Sequence, residues 1–328
     1  MVFTYLARHW LARRHYPLPS WLACITRSAR VLLFYRAHAS LLKTDIYRHY
    51  LARAHDDVFH HLSHRHYLAK GLSLRQRIRC VAAHTRFEDT TFDAAYKRAV
   101  YRNGGLLLWR VETGGRRFAI ALDMANRLNA EGDLTLTLST DGTCLHRLSF
   151  SWVEGGFGSD SIVDATIPVV PFIARNQGHR ADAADAFSAF EQAFPNNSPS
   201  FFCFAALQGI AQALGMNQAV AVKSAWQSAC DPAHDRHFVN AYDGFWERLG
   251  GIAMAGRGWR IALPLQLKPL PEMPARHRKR AAMRRAHWSA ISEAACAALR
   301  PHLVRGTAHA GAGAPAGTEA AKPVLLAQ

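Results

Sequence analysis

The stretch that decides the fold is LLLWRVETGGRRFAIAL, residues 106–122, together with DLTLTLSTDGTCLHRLSFSW, residues 133–152. The first piece is two strand-like runs joined at Thr113-Gly114-Gly115, where glycine supplies the backbone freedom of a tight turn. In the second, Leu134, Leu136 and Leu138 alternate with polar residues, Asp141-Gly142 turns the chain, and Leu148, Phe150 and Trp152 alternate on the return. A period of two places these apolar side chains on one face. The pattern predicts a four-stranded antiparallel meander with one buried face. SIVDATIPVVPFI, residues 161–173, predicts a fifth strand, which Pro168 and Pro171 push towards an edge or a bulge.

Outward from the meander the chain reads as helical on both sides. WLACITRSARVLLFYRAHASLL, residues 21–42, has no Pro or Gly and carries Trp21, Ile25, Leu32 and Leu33 at irregular helical spacing. A histidine-dense stretch, residues 54–71, ends at Gly71. LSLRQRIRCVAAHTRF, residues 72–87, predicts a helix with Leu74, Ile78, Val81 and Ala82 as its core stripe and Arg75, Arg77 and Arg79 largely turned away. On the C-terminal side come an Ala-rich helix over 181–194, a break bracketed by Pro195 and Pro199, and an apolar helix closed at Gly215. QAVAV (218–222) is a short buried strand, HFVNAYDGFWERLGG (237–251) an amphipathic helix, and Trp259–Leu263 a last strand. The fold class is therefore α+β. A basic helical region (1–103) leads into an antiparallel-sheet domain (104–270), a basic terminal helix (271–305) and an Ala/Gly tail (306–328) expected to be disordered.

With 328 residues and 49% hydrophobic content the chain can bury a full core, which excludes a wholly disordered protein. A formal charge of +16 implies anionic partners: acidic lipid, lipopolysaccharide phosphate, nucleic acid or acidic protein. The six cysteines are scattered singly, which argues against a disulfide framework or a zinc ribbon and for buried thiols in a reducing compartment. Arg8, Arg13 and Arg14 interrupt the apolar run a secretory leader needs, and no segment approaches a transmembrane span. The expected location is cytoplasmic, peripheral at the inner membrane.

Candidate chemistry is sparse. His60 and His64, four apart, would share a helix face as two metal ligands must, with His61 and His66 nearby and Asp56 and Asp57 a turn earlier. No complete ligand set is apparent, so a basic, partly titrating surface is favoured and no metal is expected. Ser149 and Ser151 lie on a strand without a neighbouring histidine in sequence, and there is no nucleophile elbow. His146 shares its strand face with Leu148 and Phe150 and reads as a satisfied core or edge histidine. Glu131, just before the second hairpin, reads as a solvated loop acid. GGFGSD (155–160) lacks the lysine of a phosphate loop. RNQGHR (175–180) joins a strand to a helix N-terminus, a place suited to anions, or is simply a turn. The candidate anion-binding residues are Arg276, Arg278, Lys279, Arg280, Arg284 and Arg285 on the terminal helix. For that helix, with Trp288 and Ile291, a solvated surface ranks first, contact with an anionic membrane second and nucleic acid behind it. No catalytic residue and no cofactor emerge.

Several segments together resemble the VirK/YbjX family of bacterial envelope-associated proteins. They are RQRIRCVAAHTRF with His84, Arg86 and Phe87, then GGRRFAIAL, EGDLTLTLSTDGTCLHRLSFSW, ALQGIAQALG with QAVAV, NAYDGFWERLGG and RHRKRAAMRRAHW, in order over roughly 70 to 300. FPNNSPSFFCF departs from the Gly-Leu-Arg-Pro-Lys-like segment usual there, and Gln177 and Gly178 correspond only loosely to a Leu-Gln-Gly turn. The resemblance implies virulence, outer-membrane upkeep and tolerance of cationic antimicrobial peptides, and it implies no reaction.

The C-terminal half is also similar to the CoA-dependent N-acyltransferase fold, which runs meander, strand, helix, strand, helix, strand and often has a phrase like FWERLGG near its end. Arg175 and Gly178 match that fold's pyrophosphate loop. Arg180 departs from it, and Asp182 and Asp185 would repel the phosphates. Two function classes follow: an envelope-supporting protein acting through its basic surface, or an acyltransferase-like enzyme acting on an amine or lipid precursor. An open cavity near Gly178 would favour the enzyme, and a filled one the first class.

Overall fold

Both predicted hairpins form, and the sheet grows from them. The computed structural model describes residues 2–51, 59–124, 131–157, 169–178, 183–230 and 235–304. Strands β1 (Leu106–Thr113), β2 (Arg116–Met124), β3 (Leu134–Thr140) and β4 (Thr143–Glu154) make the meander. Leu134, Leu136, Leu138, Leu148, Phe150 and Trp152 are all fully buried. β5 (Val169–Gly178), β6 (Gln218–Val222), β7 (Ile252–Ala253) and β8 (Gly258–Ala262) extend it to one eight-stranded sheet in the order β1-β2-β3-β4-β5-β6-β8-β7. Every neighbouring pair is antiparallel except β5 and β6, which run parallel and pair only at Phe172–Val220 and Ile173–Ala221.

β5 is central, not an edge strand as its prolines suggested. A register shift between Ser149 and Phe150 supplies the bulge half of that expectation. Pro171 is tolerated because pairing to β6 begins only at Phe172, so on that side β5 is still an edge where the proline sits. Pro168 lies outside the described residues.

Helices α1 (Val2–Ala12), α2 (Leu18–Ser28), α3 (Tyr35–Leu41), α4 (His60–Ser63), α5 (Leu74–Thr91) and α6 (Ala94–Arg102) precede the sheet. The segment 21–42 is not one helix. It breaks after Ser28 into a 3-10 stretch, Ala29–Phe34, before α3 begins. Ser28 Oγ donates to the Cys24 carbonyl at 2.7 Å and accepts from Trp10 Nε1 at 2.7 Å, the back-bonding that bends helices. Leu32 and Leu33 are consequently exposed. In α5, Ile78 and Val81 are buried as predicted, but so is Arg77. Its guanidinium donates to the carbonyls of Leu72, His64 and Arg65 at 2.7–3.2 Å, tying down the loop between α4 and α5.

After β5 come α7 (Ala184–Ala193) and α8 (Pro199–Ala213), the crossover to β6. The predicted helix over 237–251 is two, α9 (Asp235–Ala241) and α10 (Asp243–Arg248), broken at the fully buried Tyr242. α11 (Ala275–Leu299) packs across α8 and β1. α7 and α8 cover the leucine face, where Phe118 meets Phe190 and Phe194. The alternate face, at its Asp133–Ser151 end, meets α4 and the loop leading to α5. The 306–328 tail lies outside the described residues, and among those described no helix is long and apolar enough to cross a membrane.

Candidate functional site: a buried polar centre at the start of strand β3

Glu131-Gly132-Asp133 leads into β3, and the glycine explains what the two acids do. Gly132 has φ +137°, and a Cβ there would lie 2.8 Å from the Phe150 backbone nitrogen. Only glycine lets the chain press this closely on β4. Asp133 N–H then bonds the Phe150 carbonyl at 3.1 Å, and both flanking carboxylates are turned inward, 1% and 5% exposed. Glu131 is thus no solvated loop acid.

Asp133 gathers three donors: His60 Nε2 at 2.8 Å, Tyr67 Oη at 2.6 Å and Ser151 Oγ at 2.5 Å. Burial opposes its ionisation, but the imidazoles of His84 and His60 and the bonds from His60 and Ser151 outweigh it. The carboxyl stays well below the usual carboxylate range. Burial lowers the pKa of His84, whose Nδ1 accepts the Trp152 N–H at 3.4 Å. Burial and the neighbouring carboxylate push the Tyr67 phenol far up, keeping it a neutral donor. His60, His84, Asp133, Tyr47 and Tyr101 line a cavity of about 10 Å³, with Ile46, Leu51, Val81 and Met124 as apolar wall. It has room for about one water.

The order of groups limits the chemistry. A nucleophilic serine needs the imidazole between itself and the acid. Here Ser151 and His60 both donate to the acid, so the hydroxyl is not activated. One turn further along α5, Glu88 is fully buried and accepts from Trp152 Nε1 at 2.5 Å, Tyr101 Oη at 2.9 Å and Tyr96 Oη at 3.2 Å. Burial pushes its carboxyl up to about 7 against the pull of those donors and of Lys97.

Glu131 faces the strand ends where β5 and β6 diverge. It is ion-paired to Arg175 Nη1 and accepts from Gln227 Nε2 and, at 3.0 Å, from Ser228 Oγ. Beyond the single parallel pairing the divergence is filled. Tyr242 Oη accepts from the Asn176 N–H at 3.3 Å and Gln177 Nε2 at 3.0 Å, and Asn176 Nδ2 donates to the Ala241 carbonyl at 2.9 Å. A Cβ on Gly178 would lie 2.5 Å from the Leu145 carbonyl, so that residue is packed on β4. His146 is the satisfied core histidine expected: burial drives its pKa down to about 4, and the neutral ring's Nε2–H donates to Asn176 Oδ1 at 2.8 Å. Arg180 and Asp182 lie outside the described residues, as does the end of GGFGSD from Gly158 on. Asp185 is exposed in the first turn of α7.

The histidine cluster is spread over a short helix and the chain that follows it. His60 and His64 do not share a helix face, because α4 is one turn long and His64 is already extended at ψ 157°. His61 is fully buried, stacked on His38 with the two Nε2 atoms 2.9 Å apart. Asp56 and Asp57 lie outside the described residues, and among the described ones no three His, Cys, Asp or Glu side chains converge as a metal would require. On α11, Arg276, Arg278, Lys279 and Arg280 are exposed and Arg284 and Arg285 half-buried. Arg278 holds the Pro271 and Met273 carbonyls, Arg285 the Lys268 carbonyl, and Arg284 lies 5.9 Å from the Trp288 ring centre.

Comparison with curated proteins finds no match, and neither does comparison with solved structures. The family model described as "Protein of unknown function (DUF535)" matches residues 25–290, which span every strand and the start of the basic terminal helix. The chain therefore belongs to the DUF535 family.

Proposed function

We propose that this chain is a VirK/YbjX-like protein that works at an anionic membrane face, on the cytoplasmic side, in support of envelope maintenance, virulence and tolerance of antimicrobial peptides. The observation that carries the reading is the start of α11. Four cations are exposed there within five residues, and no carboxylate occurs between Glu272 and Glu293. Each such cation gains about 1 kcal/mol beside an anionic leaflet.

The test is sedimentation with neutral and acidic vesicles, with and without excess duplex DNA. Binding is expected on acidic vesicles only, weakening as the Debye length falls from about 10 Å at 0.1 M to about 3 Å at 1 M salt. The Arg276→Ala/Lys279→Ala/Arg280→Ala variant, which spares the carbonyl-holding Arg278, should bind about 100-fold more weakly. Equal pelleting on both vesicle types would sink the reading. DNA binding that abolishes vesicle binding would move it to nucleic acid.

The sheet order supports a second reading, an acyltransferase-like enzyme. The meander, β5, the helical crossover, β6, the α9–α10 helices and β8 follow one another in the order meander, strand, helix, strand, helix, strand given above for that fold. Against it, Arg175 is held by Glu131, Gly178 is packed, and Tyr242 occupies the divergence. The filled divergence puts the membrane reading first. Calorimetric titration with coenzyme A separates the two: saturable micromolar binding would reverse their order.

A further inference from the structure

α1 carries two apolar stripes, and the fold uses one. Val2, Leu6 and His9 are buried, whereas Phe3, Ala7 and Leu11, each four residues on from the last, form a second row that faces outward. Phe3 is 63% and Leu11 62% exposed. The next elements repeat the pattern: Leu18 and Leu22, again four apart on α2, are 65% and 49% exposed, and Leu33, in the turn before α3, is 74% exposed. The Phe3 ring meets the ring of Tyr35, itself 45% exposed, with centroids 6.1 Å apart, so the rows on α1 and at the start of α3 adjoin. Soluble surfaces tolerate single exposed leucines, but a concentration of this kind marks a contact surface.

Charge selects the partner. Residues 1–44 contain Arg8, Arg13, Arg14, Arg27, Arg30, Arg36 and Lys43 and no carboxylate at all; the first acid is Asp45. A second copy docking through these elements would bring together two segments that each carry seven cations and no carboxylate. An anionic bilayer offers what the face lacks: phosphate for the cations and an acyl boundary for the leucines and phenylalanine.

We infer that α1, α2 and the turn into α3 form a bilayer-insertion surface, which seats Phe3, Leu11, Leu18, Leu22 and Leu33 in the interface of an anionic membrane. This deepens the membrane reading proposed above and rests on it. The basic start of α11 attracts the protein to the leaflet; the N-terminal layer holds it there by burying apolar side chains, a contact that salt does not screen.

The test uses the full chain, vesicles of phosphatidylcholine with and without phosphatidylglycerol, and a wash in 1 M salt after binding at 0.1 M. The wild type should leave a bound fraction that resists the wash. Leu11→Ser/Leu18→Ser/Leu33→Ser, all at exposed positions, should keep the wild-type circular dichroism and melting curve but bind at least tenfold more weakly after the wash. Wild-type binding fully reversed by salt, with the variant indistinguishable, would overturn insertion and leave electrostatic attachment standing. Absence of binding to any vesicle would remove both. Concentration-dependent dimerisation lost in the variant would assign the face to a second copy and overturn the inference.

Discussion

At the residue scale the molecule is organised by two buried carboxylates with opposite titration behaviour. Asp133 is held ionised by His60, Tyr67 and Ser151, so it contributes stability that is complete above the ordinary carboxylate range and is lost progressively as pH falls below that range towards the depressed folded value. Asp133→Ala leaves His60 Nε2 and two hydroxyls without their acceptor in a buried site and should cost about 3–5 kcal/mol, read from the urea midpoint. Glu88 works the other way. With its pKa pushed up to about 7, the folded chain holds a proton that the unfolded chain releases near 4.5, so stability declines as pH rises between those values. Glu88→Gln keeps an acceptor for Trp152 and Tyr96 and turns its amide N–H towards Tyr101. Between pH 5 and 8 the wild type should therefore lose about 3 kcal/mol relative to this variant. Parallel pH profiles would mean that the three donors keep Glu88 ionised throughout. The sequence showed Glu131 only as a loop acid and Asp133 only as the first residue of a strand stretch, because their burial depends on partners as distant as His60, Arg175 and Gln227. The one local signal was the intervening Gly132, a residue that marks close backbone approach.

At the scale of elements, what the sequence made legible was whatever local pattern decides. The meander follows from strict alternation and two glycine turns, and both survive in the observed register, with Leu134 opposite Phe150 and Leu136 opposite Leu148. Breaks imposed by tertiary contacts were not legible. Ser28 bends the α2 segment through a bond to Trp10 on another helix, and Tyr242 splits α9 from α10 by turning into the β5–β6 divergence. Glycines show the same division. Gly215 ends α8 at φ +68° with open space around it, so Gly215→Ala should cost about 1–2 kcal/mol of backbone strain. Gly209, in the middle of the same helix, has ordinary helical geometry, but a Cβ there would lie 2.1 Å from the Ser292 carbonyl of α11. Gly209→Ala must push two helices apart and should cost about 3 kcal/mol or more, with a lower soluble yield. Thermal melts of the two variants check the ranking; equal losses would mean that α11 yields easily and that its packing on α8 is loose.

At the scale of the whole molecule, composition divides the chain where folding energetics should not. The sequence separates a basic helical region ending at 103 from the sheet, yet the contacts that complete the sheet come from across that line. Asp133 takes donors from His60 and Tyr67, Trp152 donates to Glu88, and the Lys70 N–H bonds the Trp226 carbonyl at 2.7 Å. The end of the chain closes the circle. Val304 N–H bonds the Thr91 carbonyl at 2.9 Å, Asp93 N–H bonds the His302 carbonyl at 2.9 Å, and α11 lies on α8 and β1. A fragment spanning 104–270 would strip Asp133 of His60 and Tyr67 on one face and expose the α8 surface that α11 covers on the other. The full chain is therefore expected to unfold in one transition, with tryptophan fluorescence and far-ultraviolet circular dichroism superimposing in urea. The isolated fragment should lack near-ultraviolet circular dichroism. Two separated transitions, or a fragment with a cooperative melt of its own, would show that residue 103 marks a boundary of folding as well as of charge. A single transition carries a functional consequence as well. The basic end regions would then be fixed to the same rigid sheet, and whatever surface they present would keep one orientation to it.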